Sequence, residues 1–378
     1  MYQAHVDVAV IGGGPAGTAA ALALLRYSRH RVLLLERTSY EERRIGETVS
    51  SGLRPLLSYL GVDDPLPGNH LRSAGRIAAW GHSQPAIRES LFDASGPGWH
   101  LDRRRFDASL ADAVERLGGT VLRGTAASSA ARAGKAWELT IKGRATGRIL
   151  AEHLIVASGA SSAFQTALGS SRLAHDRLLA LVTFVEATAA PTLLIEAAPD
   201  GWWYSAPSAD GIVAAYMTDA DLISPKSLGA AGFASLLVQA PLTTARLSGS
   251  GPRSRPRAFL AFSQVANPCL GENWVGAGDA VASFDPLSSL GIGHAVATGI
   301  QAARIVAERL AGRGGLGATY SSDVALNVRT YQEQRRFLYG LERRWSDRAF
   351  WSRRHREPAL ARPLRGSARD TAQFVLPA

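Results

Sequence analysis

The chain has 378 residues, 46% hydrophobic and 20% charged, enough for one large or two moderate globular domains, which excludes a disordered or fibrous chain. Its net charge of +10 is almost entirely arginine, the only lysines being Lys135, Lys142 and Lys226; that balance fits an anionic partner, or more simply an arginine-rich coding bias, and selects no function. The lone Cys269 excludes an intramolecular disulfide and suits a core thiol in a reducing compartment.

The first five residues lack the basic segment, apolar stretch and cleavage site of a signal peptide, so the expected location is cytoplasmic. Val6, Val8, Val10 and Ile11 predict a strand that runs straight into Gly12-Gly13-Gly14-Pro15-Ala16-Gly17 and a helix over 18–25. In such a strand–turn–helix unit Gly12 allows the tight turn, Gly14 lets the backbone approach a pyrophosphate, and Gly17 lets the helix lie close to the strand. The helix N-terminus, with Pro15 and Ala16, then offers N–H groups and its positive dipole end to phosphates. A second strand over 32–35 ends in Glu36, about 20 residues past the glycines, where a carboxylate meets a ribose hydroxyl. A carboxylate there repels a 2′-phosphate and leaves NAD and FAD as the dinucleotides this cradle holds.

Further along come Arg44-Ile45-Gly46-Glu47-Thr48 and then Trp99-His100-Leu101-Asp102-Arg103-Arg104-Arg105-Phe106-Asp107, which leads into a helix with Leu110, Ala113, Val114 and Leu117 on one side. On residue types alone Glu47 reads as a capping or surface carboxylate, and 103–105 as a solvated basic turn. The apolar stretch 178–198 is interrupted by Glu186, Pro191 and Glu196 and predicts no membrane span. Strands are predicted over 179–185, 193–196 and 212–217, forming a sheet without a phosphate loop. Within it, Asp200-Gly201-Trp202-Trp203-Tyr204-Ser205-Ala206-Pro207 places Trp202 and Tyr204 on one face and Trp203 on the other. The segment Glu272-Asn273-Trp274-Val275-Gly276-Ala277-Gly278-Asp279-Ala280 then reads as a short strand running into a glycine turn with an aspartate, followed by Phe284-Asp285-Pro286-Leu287, Gly291-Ile292-Gly293 and a helix over 292–310. The tail 329–369 interleaves Arg343, Arg344, Arg348, Arg353, Arg354 and Arg356 with Trp345, Phe350 and Trp351. It predicts either a helix packed on its own chain by the aromatics or a segment that grips an acidic polypeptide or, by stacking, a single-stranded nucleic acid.

Taken together, the glycine cradle and the Gly278-Asp279 motif resemble the two FAD fingerprints of the flavoprotein monooxygenase superfamily, which includes the flavin halogenases and geranylgeranyl reductases. The resemblance implies that Asp279 binds the ribityl chain, that Arg103 in D-R-x-x-F-D reaches the cofactor, and that Arg37, Arg44, Pro286, Gly291 and Ile292 also line it. It places the R-x-G-E-T loop beside the flavin's reactive edge, which makes Glu47 a candidate catalytic residue. A helix N-terminus at Gly291 to Gly293 would stabilise negative charge on the reduced flavin. The sequence matches the W-x-W-x-I-P segment of tryptophan halogenases at Trp202 and Pro207, loosely at Tyr204, and departs from it at Ala206; these three residues are the substrate-binding candidates. It lacks any lysine from Glu47 to Asp102, where halogenases place the one that holds hypohalous acid, so halogenation is not expected. The fuller set of motifs resembles the LodB/GoxB/QhpG-type flavoproteins of tryptophylquinone biogenesis over nearly the whole chain.

The expected fold is α/β: a discontinuous Rossmann-like FAD-binding domain (1–75, 100–171, 269–320), a substrate-sheet insertion at 76–99, an antiparallel substrate domain at 172–268 and a helical C-terminal segment at 321–378. The expected activity is FAD-dependent hydroxylation of an electron-rich aromatic ring, a tryptophan in a peptide or protein. The cofactors are FAD, O2 and an external electron donor (NAD(P)H, free reduced flavin or a partner reductase), because the chain has one dinucleotide cradle. Neither a metal, a nucleic acid nor a membrane partner is expected. The rival readings are a reductase of isoprenoid double bonds, a hydroxylase of small aromatic molecules, and a non-catalytic flavin-bound maturation or RNA-binding factor.

Overall fold

The computed structural model describes residues 1–62, 70–90, 93, 95–160, 163–188, 190–248 and 255–356; the tail beyond 356 lies outside them. The strand Tyr2–Ile11 ends in the fully buried run Val8, Ala9 and Val10, as a strand covered on both faces must. It lies between Val32–Glu36 and Gly147–Val156, parallel to both. Thr120–Arg123 and Trp274–Gly276 extend this parallel core on its two sides. The strand Gly147–Val156 serves two partners on its far edge: its first half pairs antiparallel with Ala136–Gly143, its second half parallel with Trp274–Gly276. The whole sheet has eight strands.

One face of that sheet carries the helices Pro15–Tyr27, Arg103–Arg116 and Gly291–Leu310. Small residues set their spacing: a Cβ on Gly299 would come 2.3 Å from the Ala16 carbonyl oxygen, so the first and third helices meet almost backbone to backbone. Helix Arg103–Arg116 begins on Asp102, whose carboxylate accepts the Arg104 N–H, and it buries Phe106, Leu110 and Val114 while Leu117 stays exposed.

A second sheet of seven strands holds Leu178–Val185, Thr192–Ala198, Gly201–Ser208 and Gly211–Asp219, with Gly75–Ala79 and Ala86–Glu89 added beyond Thr192–Ala198 and Arg257–Leu260 on the opposite edge. The insertion expected at 76–99 thus supplies two strands to the sheet built mainly from 178–219. All its pairings are antiparallel except that of Gly75–Ala79 with Thr192–Ala198. Alternation sends Trp203 to one face, against Tyr216 and Phe233, and Trp202 to the other. There the C-terminal helices Leu316–Leu341 and Ala349–His355 cover the sheet with Tyr339, Phe350 and Trp351. Among the described residues no helix is long and apolar enough to cross a membrane.

Candidate active site

The glycine cradle has the geometry its sequence predicts. Gly12 sits at φ +106°, and a Cβ there would meet the Ala157 carbonyl oxygen at 2.2 Å; one on Gly17 would meet the Gly12 carbonyl oxygen at 1.8 Å. Gly14 precedes the helix at φ −77°, and a Cβ there would have nothing within 4 Å. The first and third glycines therefore answer to packing, and the second faces open space at a helix N-terminus whose N–H groups have no side-chain cap.

Glu36 is buried, and its carboxylate organises this cradle. Oε2 accepts the Gly13 N–H at 2.8 Å, while Oε1 accepts the Thr38 N–H and hydroxyl and Arg44 Nη2. Arg44 then reaches Asp107 at 2.8 Å, and the same carboxylate takes Nε and Nη2 of Arg103. Asp107, fully buried between the two guanidiniums, is an anchor that the sequence reading passed over; its i,i+4 spacing from Arg103 was the available signal. Tyr40, also missed, donates its hydroxyl to the Gly13 carbonyl at 2.8 Å. Arg37 points into solvent and has no hydrogen bond or ion pair among the described residues.

The second motif closes the opposite wall. Gly278 takes φ +64°, its N–H donates to the Thr298 hydroxyl at 2.8 Å, and a Cβ there would strike Ala16, so the two glycine turns touch. The Asp279 carboxylate has no hydrogen-bond partner among the described residues, and burial raises its proton affinity against the pull of Arg103 and Arg172. Arg172 holds the turn by donating to the carbonyls of Gly159, Asp279 and Ala280. Pro286 opens a short 3-10 turn, with Asp285 accepting the Leu287 N–H, before the long helix begins at Gly291 and Ile292. A Cβ on Gly291 or Gly293 would meet nothing within 4 Å. An open helix start, an open glycine turn and a carboxylate without a donor among the described residues meet where Gly278 packs on Ala16 and Ala295, which is the set of groups that a pyrophosphate, a polyhydroxyl chain and an electron-accepting ring require. FAD fits these residues.

Arg103 also donates from Nη1 to the Ile45 carbonyl at 2.7 Å, pinning the loop that carries Glu47. Glu47 is buried, and burial pushes its carboxyl up to about 7. Its Oε2 lies 3.2 Å from the Gly46 N–H and 3.5 Å from the Tyr204 hydroxyl, and Oε1 has no hydrogen-bond partner. Tyr204 in turn lies 3.0 Å from the Thr48 hydroxyl, which lies 3.0 Å from Nδ1 of His100, its cross-strand neighbour. Thr48 and His100 were not among the sequence candidates, because only the pairing of 48–49 with 99–100 brings them together. The sequence expectation that Trp202 and Tyr204 share a face is met, yet Trp202 does not line the cleft. It is fully buried, 6.1 Å ring to ring from Trp80, and donates its indole N–H to Tyr339 at 3.0 Å. The C-terminal helices cover that end of the face, so Trp202 is core. Pro207 is likewise buried within its strand.

The tail takes the first of its two expected forms, a helix packed on its own chain by the aromatics. Arg354 is 4% exposed, binds Asp219 through Nη1 and Nη2, and its guanidinium carbon lies 3.5 Å from the Phe350 ring centroid. Arg353 binds Asp219 and Asp221 at 2.7–2.8 Å. Phe350 and Trp351 are fully buried, so Arg354 is committed to its own chain, while Arg353 pairs with Asp219 and Asp221 from an exposed position.

The family model described as "FAD binding domain" matches residues 5–240. The chain is 30% identical over 364 residues to a protein of Marinomonas mediterranea named as FAD-dependent oxidoreductase LodB, covering 94% of this chain and 98% of that one. Among solved structures it shares its fold with CmlS, a flavin-dependent halogenase, at TM-score 0.81 and 22% identity over 98% of this chain and 69% of that one. It shares it also with QhpG, a peptidyl tryptophan dihydroxylase essential for tryptophylquinone cofactor biogenesis, at TM-score 0.76 and 23% identity over 95% and 80% of the two chains.

Proposed function

The chain belongs to the FAD-binding-domain family of oxidoreductases, and from that premise we propose that it oxygenates a tryptophan ring held in a peptide or protein, using O2 and electrons from an external donor. The observation that carries the reading is similarity to LodB along the full length of both chains, on a fold shared with a peptidyl tryptophan dihydroxylase. Flavin halogenases share the fold as well, but the segment where they keep a catalytic lysine has none here, between Glu47 and Asp102.

Bound FAD supplies the redox chemistry, carrying electrons from the donor to O2. The rest belongs to the chain. The N–H groups at Gly14 to Ala16 would hold the pyrophosphate, Asp279 the ribityl hydroxyls, and the helix beginning at Gly291 the electron-rich end of the ring system. Arg103, fixed by Asp107 and the Ile45 carbonyl, keeps the Glu47 loop against this cleft. Glu47 and Tyr204 are its polar groups on the side of the seven-stranded sheet. Glu47 is buried and Tyr204 half-buried, which limits water at the reacting centre and protects an oxygen-transfer step.

The test is mass spectrometry of a tryptophan-bearing polypeptide incubated with FAD-loaded protein, reductant and 18O2. Enzyme-dependent gain of labelled oxygen on the indole supports the reading. Oxygen uptake with labelled free indoles and an unmodified polypeptide would favour the small-molecule hydroxylase, and reduction of an alkene without oxygen uptake the reductase.

A further inference from the structure

The hydrogen bonds beside Glu47 can be given a direction from chemistry alone. His100 Nε2 lies 3.1 Å from the Pro191 carbonyl oxygen, which only accepts, so this nitrogen carries the proton. Burial depresses the ring's affinity for a second proton to about 4, which leaves Nδ1 bare near neutrality. Thr48 must therefore donate its one hydroxyl hydrogen to Nδ1, 3.0 Å away. With that hydrogen used, the contact between Thr48 and Tyr204 requires Tyr204 to donate. The tyrosine oxygen then turns lone pairs toward Glu47 Oε2. A carboxylate is repelled by that arrangement, and a carboxylic acid donates into it.

A second observation agrees. Among the described residues Glu47 Oε1 is buried with no donor and Oε2 takes a single backbone N–H, from Gly46 at 3.2 Å, fewer donors than a buried carboxylate needs and less costly to a neutral acid. Among the described residues the arginines flanking the Glu47 loop are paired with other carboxylates, and Arg246, whose charge acts on Tyr204 and His100, donates to the Ala190 and Thr192 carbonyls. Arg103 is the nearest and is shared with Asp107; Arg44 is paired with Glu36 and Asp107, Arg43 with Asp210, and Arg104 with Asp102 and Asp210. We propose that the one-way chain Pro191–His100–Thr48–Tyr204 makes Glu47 the proton donor of the site, with Tyr204, Thr48 and His100 as its positioning residues. The chain ends on a backbone carbonyl, which cannot pass a proton, so it is an orienting clamp and not a wire to solvent. The use of the proton rests on the oxygenation reading. Oxygenating a ring C–H takes one O2, two electrons from the external donor and two protons, and leaves one oxygen on the ring and the other in water. Glu47 supplies one of those protons and regains it from solvent between turnovers.

The clamp predicts signs opposite to intuition. In Thr48→Val the Tyr204 hydroxyl hydrogen is released to Glu47, stabilises the carboxylate and lowers its titration midpoint. In Tyr204→Phe the acceptor for the neutral acid is lost, and the midpoint falls again. The readout is the protonated-carboxyl infrared band of Glu47, identified by its loss in Glu47→Gln and followed against pH in FAD-free and FAD-loaded protein. We expect a wild-type midpoint near 7, a fall of about one unit (tenfold in proton affinity) in each variant, and a wild-type midpoint in Thr48→Ser, which keeps the hydroxyl. A raised midpoint in Tyr204→Phe, or an unchanged one in Thr48→Val, overturns the clamp; if Thr48→Val does not fold, Tyr204→Phe decides alone. The titration needs no turnover, so a protein that behaves as expected here yet oxygenates no polypeptide refutes the functional reading and leaves the clamp standing.

Discussion

Gly14 and Gly17 separate binding from folding within one six-residue turn. A valine at position 14 adopts the existing φ of −77° and places its Cβ where nothing lies within 4 Å, so Gly14→Val should leave apoprotein stability within about 1 kcal/mol, the usual range of an N-cap change. The same side chain fills the space through which a pyrophosphate reaches the helix N-terminus. Loss of two charge-assisted hydrogen bonds at about 1.5–3 kcal/mol each costs about 3 kcal/mol or more, which is at least about 100-fold in FAD affinity. Gly17→Ala should do the reverse. Its Cβ would stand 1.8 Å from the Gly12 carbonyl oxygen, a backbone atom that yields only if helix and strand part, so the apoprotein should lose about 3 kcal/mol. Urea unfolding of both apoproteins and FAD titration by flavin fluorescence give the two numbers independently. A Gly14→Val protein that binds FAD within a few-fold of wild type would refute the assignment of this space, and a Gly17→Ala protein of unaltered stability would refute the packing argument.

Burial pushes the Glu47 carboxyl up to about 7 from the 4.5 of an ordinary glutamate, so the folded state holds its proton more tightly than the unfolded one. Stability is therefore lost as pH rises through that window, and Glu47→Gln should match wild type near pH 4.5 and exceed it by up to about 3 kcal/mol above pH 7; a difference that does not vary with pH would show that burial is not the cause. Asp219→Ala strands the Arg354 guanidinium and should cost about 3–5 kcal/mol in urea unfolding. Adding Arg354→Met should restore most of that, and a double variant no more stable than the single one would contradict the ion-pair account. With excess chloride or bromide, FAD and reductant, no halogenated aromatic product should form; its detection by mass spectrometry would overturn the argument from the absent lysine.

The parts of the site that could be read from sequence are those where local backbone geometry dictates residue type. Gly12, Gly17 and Gly278 each stand where a Cβ would collide, and Glu36 ends the strand that places it. Trp202 was misjudged because strand alternation says which side chains share a face but not what covers that face along its length. Tyr204 meets Thr48 and Glu47, whereas Trp202, two residues earlier, meets helices that arrive more than 130 positions later. The same limit applied to Arg353 and Arg354, whose partners Asp219 and Asp221 lie on a distant strand end. Thr48 and His100 carry no local signature, since a two-residue strand pair is their only link.

The cluster behind Trp202 also bears on how the chain can be made. Trp80 lies 5.4–6.1 Å ring to ring from Trp202, Tyr339 and Trp351, and Phe350 lies 5.1 Å from Trp351, yet these rings come from three far-separated stretches of sequence. During synthesis the seven-stranded sheet is complete once Leu260 has emerged, but Trp80 and Trp202 stay uncovered until the helices that carry Tyr339, Phe350 and Trp351 leave the ribosome. At roughly 5–20 residues per second that interval lasts several seconds. A ribosome stalled within it presents two bare indoles on a finished sheet, a target for holdase chaperones and a nucleus for aggregation, whereas docking of the two C-terminal helices buries both.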